Sequence, residues 1–224
     1  MHIFDVYRQL FSTYGPQGWW PLSDCRLEDP QYTRAAAGYH PGNYALPRNN
    51  TQRFEICLGA ILTQNTAWKN AEQALLQLQA RNGLCPQGIL NLPLNTLAET
   101  IKPSGYYNVK AQKIQCFSEF WISLRDRTPE RSKLLEVWGV GPETADSILL
   151  YAYGQPHIVV DSYTRRILAH LGIVHPDISY PDLKAVCTEQ LPDSIAVYQE
   201  FHALVVEHAK RYYRRRPYED PILQ

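Results

Sequence analysis

Apolar residues in this chain recur at helical spacing almost from its start, and the strict alternation of a half-buried strand is absent. Phe4, Tyr7, Leu10, Phe11 and Tyr14 trace one face of a first helix, which Gly15-Pro16 should end. Phe54, Cys57, Leu58, Ile61 and Leu62 repeat the pattern without an error, predicting a buried helix face that stops at Gln64-Asn65-Thr66. Trp68, Ala71, Leu75 and Leu78 begin the next helix, closed by Asn82-Gly83. Asn95 is expected to cap a short helix through Ile101, with Lys102-Pro103-Ser104-Gly105 as its break. Tyr106 and Tyr107 fall in the following loop, and Asn108 precedes a longer helix carrying Ala111, Ile114, Phe117, Trp121 and Leu124. Further stripes cover Ala145, Ile148, Leu149 and Ala152, then Ile167, Leu168 and Leu171. Pro181 to Leu191 makes another helix, and Val197, Phe201, Leu204, Val205, His208 and Tyr212 mark a long final one. The stretch from Gly18-Trp19-Trp20-Pro21 to Asn50 lacks periodicity and reads as an irregular surface loop.

This pattern predicts an all-α fold with no internal repeat. Two helical domains are expected, one from about 45 to 155 and one formed by 1–44 plus 156–224. A cleft between them should carry a helix-hairpin-helix motif and Asp161 on its rim.

The motif lies at Gly139-Val140-Gly141, between the apolar segment that begins at Leu134 and the stripe at Ala145. Two glycines permit backbone angles closed to other residues, and Pro142 suits a first helical position because it has no amide to satisfy. The free amides and positive dipole end of the second helix would suit a phosphate. An ordinary packing joint between two helices would use the same glycines. Past Gly154-Gln155-Pro156, the run Ile158-Val159-Val160 leads to Asp161, which opens the next helix, so on local chemistry it is either an N-cap or a functional carboxylate.

The 224 residues, 45% hydrophobic, suffice for a real core. No apolar run reaches the roughly 18 residues of a membrane span, and the N-terminus does not read as a secretion signal, so a cytoplasmic location is expected. With 22 basic and 22 acidic residues, net charge says nothing of a nucleic-acid partner. Lys210, Arg211, Arg214, Arg215 and Arg216 do form a local basic cluster around Tyr212 and Tyr213, readable as a phosphate-binding patch or as a solvated helix end. Five scattered cysteines suggest neither a zinc site nor a disulfide framework.

Val137-Trp138-Gly139-Val140-Gly141-Pro142-Glu143-Thr144-Ala145, with Asp161 eighteen residues beyond Glu143, resembles the signature of endonuclease III-type DNA glycosylases. Leu62-Thr63-Gln64-Asn65-Thr66 and Gly105-Tyr106-Tyr107-Asn108-Val109-Lys110-Ala111 are similar to that family's strand-facing loops in the same order, and the resemblance spans about residues 50 to 215. It implies that Asp161 is catalytic, that Gln64 fills the gap left by an extruded base, and that Tyr106 presses on neighbouring bases. Gly139, Val140, Gly141, Thr144 and Lys210 join Gln64 and Tyr106 as DNA-binding candidates. On residues alone, Gln64 could instead cap a helix end and Tyr106 could pack on Tyr107.

Trp19-Trp20-Pro21 resembles the 3-methyladenine glycosylase branch, in which aromatic residues at this place stack on the base. The implied base pocket is Trp19, Trp20, Pro21, Phe54 and Glu143; the plain reading has the tryptophans plugging the core and Glu143 favouring a helix dipole. His208 and Lys210 could approach the cleft from the final helix, or be core and solvated respectively.

Family members that cleave the strand carry a lysine where Glu143 stands, and a carboxylate cannot form a Schiff base. Many relatives end in a four-cysteine iron–sulfur motif, but residues 208–224 contain no cysteine, so no cofactor or metal is expected. The expected activity is therefore monofunctional excision of damaged bases, alkylated purines first, from double-stranded DNA by a monomer. A glycosylase for oxidised or mismatched bases and a non-catalytic DNA-binding module are the alternatives.

Overall fold

The computed structural model describes residues 1–25 and 38–223, so the middle of the expected surface loop, 26–37, lies outside the described residues. Every regular element among the described residues is helical, as the periodicity predicted. None of these helices is long and apolar enough to cross a membrane. The chain divides into two compact units, one comprising 1–21, 25–44 and 154–224, the other 22–24 and 45–153.

The second unit is built on α2 (Asn50–Leu62), capped by Asn49 and buried on all sides from Phe54 to Leu62. Around it pack α3 (Trp68–Gln79), α6 (Tyr107–Leu124), α8 (Pro142–Ser147) and the π-helical continuation of α8 over Ile148–Ala152. Burying each large apolar side chain of α2 is worth about 1.5–3 kcal/mol, which makes this helix the organising element of the unit. Between α3 and α6 come α4 (Pro86–Asn91) and α5 (Leu94–Thr100). Periodicity missed α4, because six residues opened by Pro86 and capped by Cys85 are too few to show a repeat. α7 (Arg131–Glu136) precedes the hairpin.

Two boundaries differ from expectation. Pro93, not Asn95, stands at the N-cap of α5. Tyr107 begins α6 and Asn108 lies inside its first turn, with Tyr106 as N-cap at φ +46°. In both cases the backbone turns one or two residues before the side chain that seemed suited to cap it.

The first unit packs α11 (Ile195–Tyr212) against α1 (Ile3–Tyr14) and α9 (Ser162–His170), with α10 (Tyr180–Gln190) beside α1. Its loop carrying the tryptophans is held from α11, where buried Glu200 accepts from the Gln17 amide at 2.8 Å and the Tyr44 hydroxyl at 3.0 Å. Gly18, at φ +68°, permits the close backbone approach: a Cβ there would stand 2.3 Å from the Pro41 nitrogen.

Candidate functional site

In the second unit, the hairpin joins α7 to α8, and a bidentate pair fastens it: Arg131 Nε donates to Asp146 Oδ1 at 2.8 Å and its Nη2 to Oδ2 at 3.2 Å. The sequence reading passed over this pair, whose members are fifteen residues apart with neither in a motif. Gly139 sits at φ +88°, and a Cβ on it would come within 2.4 Å of the Lys113 stem. A Cβ on Gly141, the N-cap of α8, would meet open space, so the first turn of that helix is approachable. Val140 has its side chain buried and offers only backbone. Glu143 is exposed in the first turn of α8.

Gln64 is tied in at both ends of its amide. Its Nε2 donates to the Gly139 carbonyl at 2.9 Å and to Thr144 Oγ1 at 3.0 Å, and its Oε1 accepts from Lys113 Nζ at 2.6 Å. Three residues expected to face DNA are thus bonded to one another, and the Thr144 hydroxyl points into the protein. Tyr106 is 73% exposed. Phe54 is 1% exposed, with its ring against Phe117 and Trp121, so within its own unit it packs the core instead of presenting an open wall.

The first unit carries Asp161 at the N-cap of α9. Its Oδ1 accepts from the Thr164 amide at 2.8 Å and the Thr164 hydroxyl at 3.0 Å, whereas Oδ2 has no hydrogen bond among the described residues. The capping and the functional reading are therefore compatible, since the cap occupies Oδ1 alone. Trp19 stands edge-on to His202 with centroids 5.4 Å apart, and Lys210 Nζ lies 5.9 Å from the centroid of the Trp19 ring. Burial holds His202 below its ordinary 6.5, the Asp161 charge works in the opposite direction, and Lys210 adds to the lowering. Asp161, His202, Trp19 and Lys210 form one neighbourhood. His202 was not anticipated, since it falls between apolar positions of α11 and belongs to no motif. Trp20 is 6% exposed and Pro21 is buried, both closer to the packing reading than Trp19.

Of the two readings open for His208, its own unit supports the core one. His208 is buried, with Nδ1 at 2.8 Å from the Tyr14 hydroxyl and Nε2 at 2.7 Å from Asp220 Oδ2. This network anchors the segment that follows α11. Residues 208–224 offer no thiolate, so the four-cysteine ligand set does not fit. Among the described residues no group of three His, Cys, Asp or Glu is arranged to hold a metal ion.

The model of the family described as HhH-GPD superfamily base excision DNA repair protein matches residues 58–193, which include both hairpin and Asp161. The chain belongs to that superfamily. Among HhH-GPD relatives, a Methanocaldococcus jannaschii protein assigned as a DNA repair glycosylase is 35% identical over 225 residues, covering 96% of this chain and 90% of its own. The fold is similar to that of the H. pylori 3-methyladenine DNA glycosylase solved with 1,N6-ethenoadenine (TM-score 0.70, 22% identity, 94% of this chain and 98% of that one). It is also similar to endonuclease III in a non-covalent DNA complex (TM-score 0.73, 18% identity, 97% and 88%). This endonuclease III-like fold accounts for the order of the three motifs, each of which is a loop between helices of the HhH-GPD arrangement.

Proposed function

We propose that this HhH-GPD protein is a monofunctional DNA N-glycosylase that extrudes a damaged base from duplex DNA and hydrolyses its glycosidic bond, leaving an abasic site. The observation that carries the reading is Asp161, anchored through Oδ1 while Oδ2 takes no hydrogen bond among the described residues. As the base departs, positive charge develops on the sugar, and a fixed carboxylate oxygen stabilises it or orients water for attack. The cap supplies preorganisation, because the Thr164 bonds set the carboxylate plane before substrate arrives. Backbone donors at the first turn of α8 would hold a phosphate, and exposed Tyr106 would replace stacking lost when the base leaves. Glu143 at the position of the lyase lysine supports a product strand left uncut.

For substrate, alkylated purines such as 3-methyladenine lead. A cationic ring is a good leaving group and gains from the Trp19 face. The fold-level likeness to the H. pylori enzyme supports the same choice. One observation favours a second reading, a glycosylase for neutral oxidised or mismatched bases: Lys210 already stands over Trp19 and would repel a cationic base.

Duplexes carrying 3-methyladenine, 7-methylguanine, hypoxanthine, thymine glycol or 8-oxoguanine, assayed separately for released base and strand scission, decide between these. Release of methylated purines with intact strands supports the first reading. Release of thymine glycol alone moves the assignment to the second, and a borohydride-trapped covalent adduct overturns the monofunctional mechanism. No release from any duplex leaves only a DNA-binding role.

A further inference from the structure

The two lysines one turn apart on α6 serve no carboxylate among the described residues. Lys110 is 2% exposed, and its Nζ donates to the Leu62 carbonyl at 2.8 Å and the Ser104 carbonyl at 2.7 Å. These carbonyls close α2 and the 3-10 turn at Lys102–Ser104, helix ends where a cation is favoured. Lys113 donates to Gln64, which in turn donates to Gly139 and Thr144. Its stem also occupies the space a Cβ on Gly139 would need.

Each of the three loops so joined carries a left-handed residue at its tip: Asn65 at φ +53°, Tyr106 at φ +46° and Gly139 at φ +88°. For asparagine and tyrosine that conformation costs free energy and persists only where surrounding bonds over-determine it. The tips project large or polar groups outward: Asn65 is exposed, Tyr106 is 73% exposed and Trp138 53%. A cation buried against helix ends is also not neutral to its surroundings. Burial, with the neighbouring Lys113 charge, pushes the Lys110 amine down to about 8.

We propose that Lys110 and Lys113 are positioning residues that clamp the α2–α3 turn, the Lys102–Tyr106 turn and the hairpin into one three-pronged surface for the damaged strand. Lys110 sets the spacing of the first two prongs and Lys113, through Gln64, that of the first and third. This rests on the glycosylase reading for the identity of the ligand, but not for the clamp itself.

The test uses Lys110→Met and Lys113→Met in the full chain, since methionine keeps an unbranched apolar stem and removes only the donor. Amide hydrogen exchange of the DNA-free protein should rise about 10- to 100-fold in loops 63–66 and 103–107 for Lys110→Met, and in 63–66 and 137–141 for Lys113→Met. With the melting temperature held near wild type, the preference for a duplex containing a tetrahydrofuran abasic analogue over undamaged duplex should fall about 10-fold or more. Should Lys110→Met fail to fold, Lys113→Met still decides, as its side chain is only partly buried. Unchanged loop exchange, or an unchanged preference in a folded variant, overturns the proposal. If wild type itself shows no preference for the abasic duplex, the glycosylase reading falls, and the exchange arm alone still accepts or rejects the clamp.

Discussion

Asp161 and Asp220 belong to the same unit, yet the protein treats the two carboxylates in opposite ways. Asp220 has its side chain 1% exposed and every lone-pair direction answered: Oδ2 accepts from His208 Nε2 and the Tyr213 hydroxyl, both at 2.7 Å, and Oδ1 from the amides of Ile222 at 2.9 Å and Leu223 at 3.0 Å. Burial pushes Asp220 up, but those hydrogen bonds outweigh it and hold the carboxyl below its usual 3.8. An ionised Asp220 accepts only, so His208 Nε2 carries a proton, and burial keeps the ring neutral with Nδ1 accepting from Tyr14. Burial likewise pushes the Tyr14 phenol up to about 12, so its proton stays available for that bond. Asp161 is half-buried, answered among the described residues at one oxygen only, and has His202 nearby, kept below its ordinary 6.5. Saturation makes a carboxylate a staple, whereas an oxygen left without a partner on a fixed frame is available to a reacting group.

The sharpest way to break this contrast is Asp161→Asn. Single-turnover excision should drop about 10³-fold or more, while the melting temperature moves by no more than about 2 °C because asparagine caps nearly as well. A variant with near-normal excision removes Asp161 from the chemistry. Asp220→Ala should do the reverse, costing about 3–5 kcal/mol in urea unfolding while the folded fraction excises at the wild-type rate, since it leaves the buried donors of His208, Tyr213, Ile222 and Leu223 without their acceptor and touches no bond of Asp161. Equal loss of rate in the folded fraction would erase the distinction.

Acidification separates the two more finely. His202 and His208 both titrate below their ordinary 6.5 when folded, so the unfolded chain binds the proton first, and stability present above about pH 6.5 is lost as pH falls from there. Each contributes a slope of at most about 1.4 kcal/mol per pH unit. Asp220 adds its own loss only below its ordinary 3.8. Urea melts across pH 7.5 to 5 should therefore slope downward, and His202→Gln should remove its share of the slope and leave that of His208. A flat profile would mean that the two rings titrate alike in the folded and the unfolded chain, against the effect of burial. The smallest expected effect is Thr164→Val, which removes the hydroxyl bond to Asp161 Oδ1 and keeps the amide bond: about 1 kcal/mol of stability and less than about tenfold in excision. A larger loss of rate than of stability would show that the hydroxyl aims the carboxylate.

Local pattern was enough for most of the architecture, because burial of a helical stripe writes a 3.6-residue period into the chain wherever the helix exceeds three turns. It failed at α4, too short to show a period, and at the starts of α5 and α6, where turn geometry and not a polar side chain placed the boundary. Candidate residues inside motifs were legible by type and spacing. Those outside motifs were not: Lys113, Arg131, Asp146, His202 and Asp220 are ordinary polar residues until the fold brings a partner to them.

What the sequence by itself determined is the set of local decisions: helix or loop, the glycine turn of the hairpin, an aspartate opening α9, and a glutamate in the first turn of α8. Each depends on neighbours within about one or two helical turns, the range over which periodicity, capping and backbone freedom act. Tertiary structure alone decided which polar atoms find partners. Gln64 meets Gly139 and Thr144 across 75 and 80 residues, and Tyr14 meets His208 across 194. Hydrogen bonds require contact within about 3 Å and carry no signature in the intervening chain. Hence the sequence could name Asp161 but not say that, among the described residues, one of its oxygens would be bound and the other left open.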